Sequence, residues 1–166
     1  SATLARPKAA LDALVGSSRG VVVRADVQKE IEVESAMPKA FERLPWAGHI
    51  GLQLIGEVVD VVAAHTSTLV FTNTRRQAEL WYQALLARKP EWAGLLAMHH
   101  GSISRELREW VEDALHDGRL RAVVCTASLD LGVDFRPVDA VVQIGGPKGV
   151  SRMIQRAGRC GHRPGE

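Results

Sequence analysis

Apolar positions fall into two spacings along most of the chain. Between residues 50 and 64, Leu52, Ile55, Val58, Val59 and Val62 recur at three- and four-residue intervals and predict one buried face of a helix. Residues 68–72 form a short apolar run, read as a buried strand, and Asn73-Thr74 follow as turn and helix cap. Ala78, Trp81, Tyr82 and Leu85 repeat the helical spacing, and Pro90 closes that helix. A weaker strand is expected over 95–98, ending at His99-His100-Gly101-Ser102. Ile103, Leu107, Trp110, Val111 and Leu115 predict the next helical face, stopped at Asp117-Gly118. Strands are expected over 121–125 and 140–144, and a helix over 148–157. Short buried strands alternating with helices predict an α/β fold whose parallel sheet is covered on both faces.

The first third reads differently. Residues 6–15 have helical spacing, with Pro7 in the first turn and Gly16 as the stop. Residues 20–24 and 31–33 are β-prone runs, and the two prolines and scattered charges of 35–46 suggest a connector. A linker or domain edge is therefore placed near 16–46. The chain opens on Ser1-Ala2-Thr3 without a Met and stops in a Gly-rich stretch, so a piece of a longer protein is expected.

Composition narrows the class only a little. With 46% hydrophobic and 24% charged residues, the chain is expected to be a soluble globular one. The net charge of +2 argues neither for nor against nucleic acid, but its distribution does. From Lys148 to Glu166 there are five Lys or Arg against one acid, a candidate polyanion surface. Cys125 and Cys160 are too few for a zinc signature and are read as reduced thiols of a cytoplasmic protein. No apolar run is long enough for a membrane span, and no signal peptide opens the chain. Adjacent His99 and His100 cannot point the same way on a strand, which argues against a shared metal.

The candidate chemistry sits at the ends of the strands. In Val123–Asp134 the apolar residues stop at Cys125 and a polar loop follows. Thr126 and Ser128 offer hydroxyls suited to phosphate, and Asp134 a carboxylate suited to a ribose hydroxyl. About twenty residues on, from Gln155 to Arg163, arginines alternate with glycines. Thr72-Asn73-Thr74, His100-Gly101-Ser102 and Thr126-Ala127-Ser128 each follow a strand and so share one edge of the sheet, where ligands of open α/β folds bind. Helix capping explains any one of these loops. Three on one edge favour phosphates of a nucleic-acid backbone. There is no GxxxxGK[ST] phosphate loop and no Asp-Glu pair placed for magnesium, so the chain lacks parts that ATP hydrolysis needs. An arginine reaching a nucleotide from outside its main site is a device of phosphoryl transfer, and Arg159 suits it.

These residues resemble the second RecA-like domain of superfamily 2 helicases. Residues 68–75 are similar to helicase motif IV, His100-Gly101 to the His-Gly element that follows, Thr126–Asp134 to motif V, and Gln155–Arg163 to motif VI. Ser1-Ala2-Thr3-Leu4 resembles motif III. Leu129–Phe135, with Gln155–Arg159 and Gly161–Gly165, is similar to the large-helicase-related (Lhr) DNA helicases, in particular their ligase-associated DEXH-box group. The resemblance implies a RecA-like three-layer sandwich over 47–166, preceded over 1–46 by the end of a first motor domain and a linker. It implies that Thr72, Asn73, Arg75, His100, Gly101 and Thr126 touch the phosphates of single-stranded DNA. Gly132, Asp134 and Arg156 would lie against ATP, whose magnesium ligands belong to the first domain. Gln155 and Arg159 would face the γ-phosphate. The usual second arginine of motif VI is replaced by His162, with Arg163 one place later, and either residue could serve. The implied partners are single-stranded DNA or a DNA/RNA hybrid, the first RecA-like domain of the same chain, and a DNA ligase and nuclease, with no membrane. Two alternatives stand beside this: an RNA helicase, and a nucleic-acid-binding or regulatory module with no motor activity.

Overall fold

The computed structural model describes residues 6–16, 20–23, 31–36, 51–130 and 138–161. Four strands, β1 (Thr68–Phe71), β2 (Leu96–His99), β3 (Ala122–Cys125) and β4 (Ala140–Gln143), form one sheet in the order β2-β3-β1-β4. Every pairing is parallel. Parallel neighbours need a crossover between them. Helices α3 (Arg75–Arg88) and α4 (Arg105–His116) supply the first two crossovers. Helix α2 (Ile55–Ala64) precedes β1, and α5 (Val150–Ala157) follows β4.

Alternation along the strands divides the core in two. Val70, Leu96, Ala122 and Val124 face α2 and α3, where they meet Val58, Val62, Ala78, Trp81 and Leu85. Leu69, Phe71, Ala97, Val123 and Cys125 face the other way, onto Val111, Ala114 and Leu115 of α4. β1 and β3 are buried throughout, which is why they read as near-continuous apolar runs, broken only by Thr68 at the start of β1. Helices on both faces of a parallel sheet make this a RecA-like α/β sandwich.

Local signals explain most boundaries. Thr74 caps α3 by accepting from the Gln77 N–H, and Ser104 caps α4 by accepting from Leu107. At the entry edge, the Asp139 carboxylate accepts from the N–H groups of Thr66 and Ser67, at 2.9 and 3.1 Å, and locks the start of β1 to that of β4. Arg121 Nη1 donates to the Val62, Ala63 and His65 carbonyls, which α2 leaves unpaired at its end.

Three expectations are corrected. Leu107 and Trp110 do not belong to the buried face of α4: they are 52% and 48% exposed, and the face that meets the sheet is Val111, Ala114 and Leu115. The weak strand starts at Leu96, leaving Leu95 at the surface. The β-prone runs contain no strand over 20–23 or 31–36, and Val21, Val23 and Val33 are exposed. A strand needs a neighbour, and β propensity alone supplies none. The expected first helix is present as α1 (Pro7–Val15), ended by Gly16 at φ 66°, whose N–H returns to the Asp12 carbonyl.

Candidate functional site

The carboxyl ends of all four strands reach one edge of the sheet. Thr72, His100, Thr126 and Ile144 are the residues that follow them. Between these loops and α5 lies an open groove of about 250 Å³. Its walls include Asn73, Arg75, His100, Gly101, Ser102 and Thr126, the loop residues named from sequence. They also include Lys148 and Arg152, which sequence reasoning did not single out. The signal for those two was present: they lie just beyond β4, inside the basic run, and the fourth loop obeys the same edge rule as the other three.

Within the groove, donors divide into those the fold uses and those facing outward. Thr72 is fully buried. Its hydroxyl and N–H both donate to the Cys125 carbonyl, at 3.1 and 2.8 Å, tying β1 to β3 where the ladder ends. The Asn73 N–H donates to Gln77 Oε1, and its Nδ2 to the Gly146 carbonyl at 3.0 Å. Asn73 therefore holds the β4–α5 turn against β1. That turn needs Gly145 at φ 71°, with Asn73 Nδ2 where a Cβ would make contact. Thr72 and Asn73 thus frame the groove, with these donors engaged inside the fold. Arg75, Gly101, Ser102 and Lys148 lie exposed around them. Arg75 Nη1 donates to Ser102 Oγ at 3.2 Å, which links the first two loops across the groove.

The paired histidines diverge as a strand end requires. His99 is 1% exposed and turns toward α4 and the loop after β3. His100 turns into the groove; it is 6% exposed and its Nδ1 has no partner. Burial lowers the pKa of both imidazoles; the Glu112 carboxylate opposes this at His99, and Glu79 opposes it at His100. Each neutral imidazole contributes stability that is present above the ordinary histidine range and lost as pH falls below it. Burial likewise raises the Cys125 thiol well above its usual range, so this cysteine is an inert core residue.

At one end of the groove, Asp130 gathers the arginines of α5. Its carboxylate, 5% exposed as a residue, accepts from Arg156 Nε at 2.7 Å and Nη2 at 3.2 Å. Arg156 is itself buried, gives its third donor to Gln143 Oε1, and lies 4.4 Å from the centroid of the Phe71 ring. Arg152 Nη1 stands 3.7 Å from the same carboxylate. Arg159 Nη2 donates to the Asp130 main-chain carbonyl at 2.8 Å. Beyond it, Val138 pairs with the main chain of Arg159 and Gly161. The structure thus gives different surroundings to Arg156, which the resemblance set against ATP, and Arg159, which it set facing the γ-phosphate. Arg156 is turned inward and engaged on Asp130 and Gln143, whereas Arg159, just past the end of α5, reaches the Asp130 main chain rather than its carboxylate. Gln155 lies on α5, partly buried. Gly132, Asp134, His162 and Arg163 lie outside the described residues, as does the motif III-like start. Among the described residues, no cluster of His, Cys, Asp or Glu is arranged to hold a metal ion.

Known proteins with this arrangement agree on one family. The profile of the helicase conserved C-terminal domain matches residues 52–164. ATP-dependent helicase Lhr-Core protein 2 of Thermococcus barophilus is 47% identical over 104 residues, covering 63% of this chain and 12% of that protein. ATP-dependent helicase Lhr-Core of Methanothermobacter thermautotrophicus is 38% identical over 157 residues, covering 90% of this chain and 18% of that protein. Among solved structures, the Mycobacterium smegmatis helicase Lhr bound to single-stranded DNA and AMP-PNP superposes with a TM-score of 0.62 at 47% identity, over 68% of this chain and 15% of that one. This chain therefore spans less than a fifth of each of these relatives. On these matches the chain belongs to the helicase conserved C-terminal domain family, and within it to the large-helicase-related (Lhr) type.

Proposed function

We propose that this domain is the second motor domain of an ATP-dependent DNA helicase or translocase, gripping one strand by its phosphates. The observation that carries this reading is the groove, where four strand ends and the cations of α5 converge on one edge of a parallel sheet. Arg75, Lys148 and Arg152 supply charge for the DNA backbone, and Gly101, Ser102, Thr126 and neutral His100 supply uncharged polar contacts. Such contacts read shape rather than sequence. Thr72 and Asn73 keep the loops at a fixed separation. The single-stranded DNA in the Mycobacterium smegmatis relative favours DNA over RNA.

On the nucleotide side, the permanently charged arginines around Asp130 suit a polyphosphate. Arg159 would stabilise charge developing on the transferred phosphoryl group, Gln155 would stand beside it, and Arg156 would hold α5 in place through Asp130. Gly132, Asp134 and Arg163 complete the proposed nucleotide edge. When bound against the first RecA-like domain, ATP with magnesium would supply the free energy for cleft closure. The magnesium ligands would come from that first domain. Association with a DNA ligase and nuclease, and use of a DNA/RNA hybrid, rest on the family resemblance alone.

Thr126→Ala in the full-length protein tests the grip. DNA-stimulated ATPase and unwinding should fall on the order of fivefold, the equivalent of one hydrogen bond. ATP affinity without DNA should not change. Unaltered DNA affinity, stimulation and unwinding would make Thr126 a turn residue and nothing more.

A further inference from the structure

His99 belongs to none of the roles above, yet it is the best-connected buried polar side chain of the β2 end. Its Nδ1 lies 2.8 Å from Ser128 Oγ and its Nε2 2.9 Å from Glu112 Oε1. Its carbonyl accepts from the Thr126 N–H at 3.2 Å and the Ser128 hydroxyl at 2.9 Å. One residue thus binds α4 on one side and both polar residues of the loop after β3 on the other. From Ser128 the contacts continue to the groove, where the Thr126 hydroxyl donates to Ser128 Oγ at 3.4 Å. Glu112 as a carboxylate only accepts, so Nε2 carries the proton of the neutral ring, and the single Ser128 hydroxyl proton is shared between the Nδ1 lone pair and the His99 carbonyl.

We propose that His99 is a positioning residue for the strand grip, acting through Ser128 on Thr126. The imidazole fixes the Ser128 side chain. Ser128 Oγ is then the resting acceptor that holds the Thr126 hydroxyl at the groove until a phosphate oxygen takes its place. Glu112 sets the tautomer that makes this geometry available, and so ties the grip loop to α4. The inference rests on the reading that Thr126 grips DNA phosphates.

The two arms of His99 can be cut separately. An asparagine amide overlies the Nδ1 position and a glutamine amide the Nε2 position. His99→Asn therefore keeps a partner for Ser128, and His99→Gln keeps one for Glu112. In the full-length protein, the concentration of single-stranded DNA giving half-maximal ATPase should rise about five- to tenfold in His99→Gln and in Ser128→Ala, as expected for one buried hydrogen bond. It should stay near wild type in His99→Asn. Basal ATPase and melting temperature should be alike in His99→Asn and His99→Gln, and Ser128→Ala should add nothing to His99→Gln. A purely structural histidine would give equal DNA responses in the two amide variants, and that result overturns the proposal. If Thr126→Ala weakens the DNA response while His99→Gln and Ser128→Ala do not, the positioning role falls and the grip stands. If Thr126→Ala is also silent, both fall.

Discussion

Replacing Arg159 with alanine in the full-length protein is expected to lower ATP turnover on the order of 10³-fold or more while nucleotide affinity changes far less, as for arginine fingers elsewhere. The guanidinium stands at the end of α5, and Nη2 donates to the Asp130 carbonyl. Main-chain bonds from Val138 to Arg159 and from Gly161 to Val138 fix the backbone around it. On the proposed reading, a planar, permanently charged fork held on such a frame would be preorganised for charge that builds on phosphate oxygens. Arg159→Lys should not rescue turnover, because an ammonium cannot reproduce the forked contact. An ordinary surface arginine would instead change stability by less than about 0.5 kcal/mol and leave turnover alone. Near-wild-type turnover in both variants rules out the finger. Loss of turnover only in Arg163→Ala would move the role to that residue.

The second large effect is on stability. Asp130→Ala should cost about 3–5 kcal/mol, because it strands the Arg156 guanidinium in the interior. Both residues are at least 95% buried, so solvent screens the pair little. Replacing both partners should cost much less: Asp130→Ala with Arg156→Met removes the charge and keeps an apolar chain over Phe71. Hydrogen exchange of the β1 and β3 amides in the full-length protein reads this directly, since those strands form the centre of the core. Equal protection in the single and double variants would show that the pair is not acting as a buried ion pair.

What could be read from sequence follows from where the physics is local. Ile55, Val58, Val59 and Val62 were legible as a face because the positions that repeat are the ones buried. Strands β1 and β3 were legible because burial on both sides leaves Thr68, at the start of β1, as the one polar residue within them. Leu107 and Trp110 share the period of that buried face and yet point outward; spacing cannot tell which apolar neighbours meet the sheet. The shared edge of the loops followed from the parallel sheet. Which donors remain available there did not: Thr72 is engaged by a carbonyl 53 positions away, and Arg156 by a carboxylate 26 positions away. That Arg156 is turned inward onto the buried Asp130 carboxylate was likewise not legible in the sequence.

The central claim is that the groove grips a single strand by its phosphates. Its most direct test is the salt dependence of single-stranded DNA affinity in the full-length protein, wild type against Lys148→Ala with Arg152→Ala. Each lost phosphate contact should reduce the slope of log K against log salt by about 0.7, so the double variant should lose roughly 1.4 and bind more weakly on every sequence. An unchanged slope, with affinity unchanged across the salt range, would contradict the account.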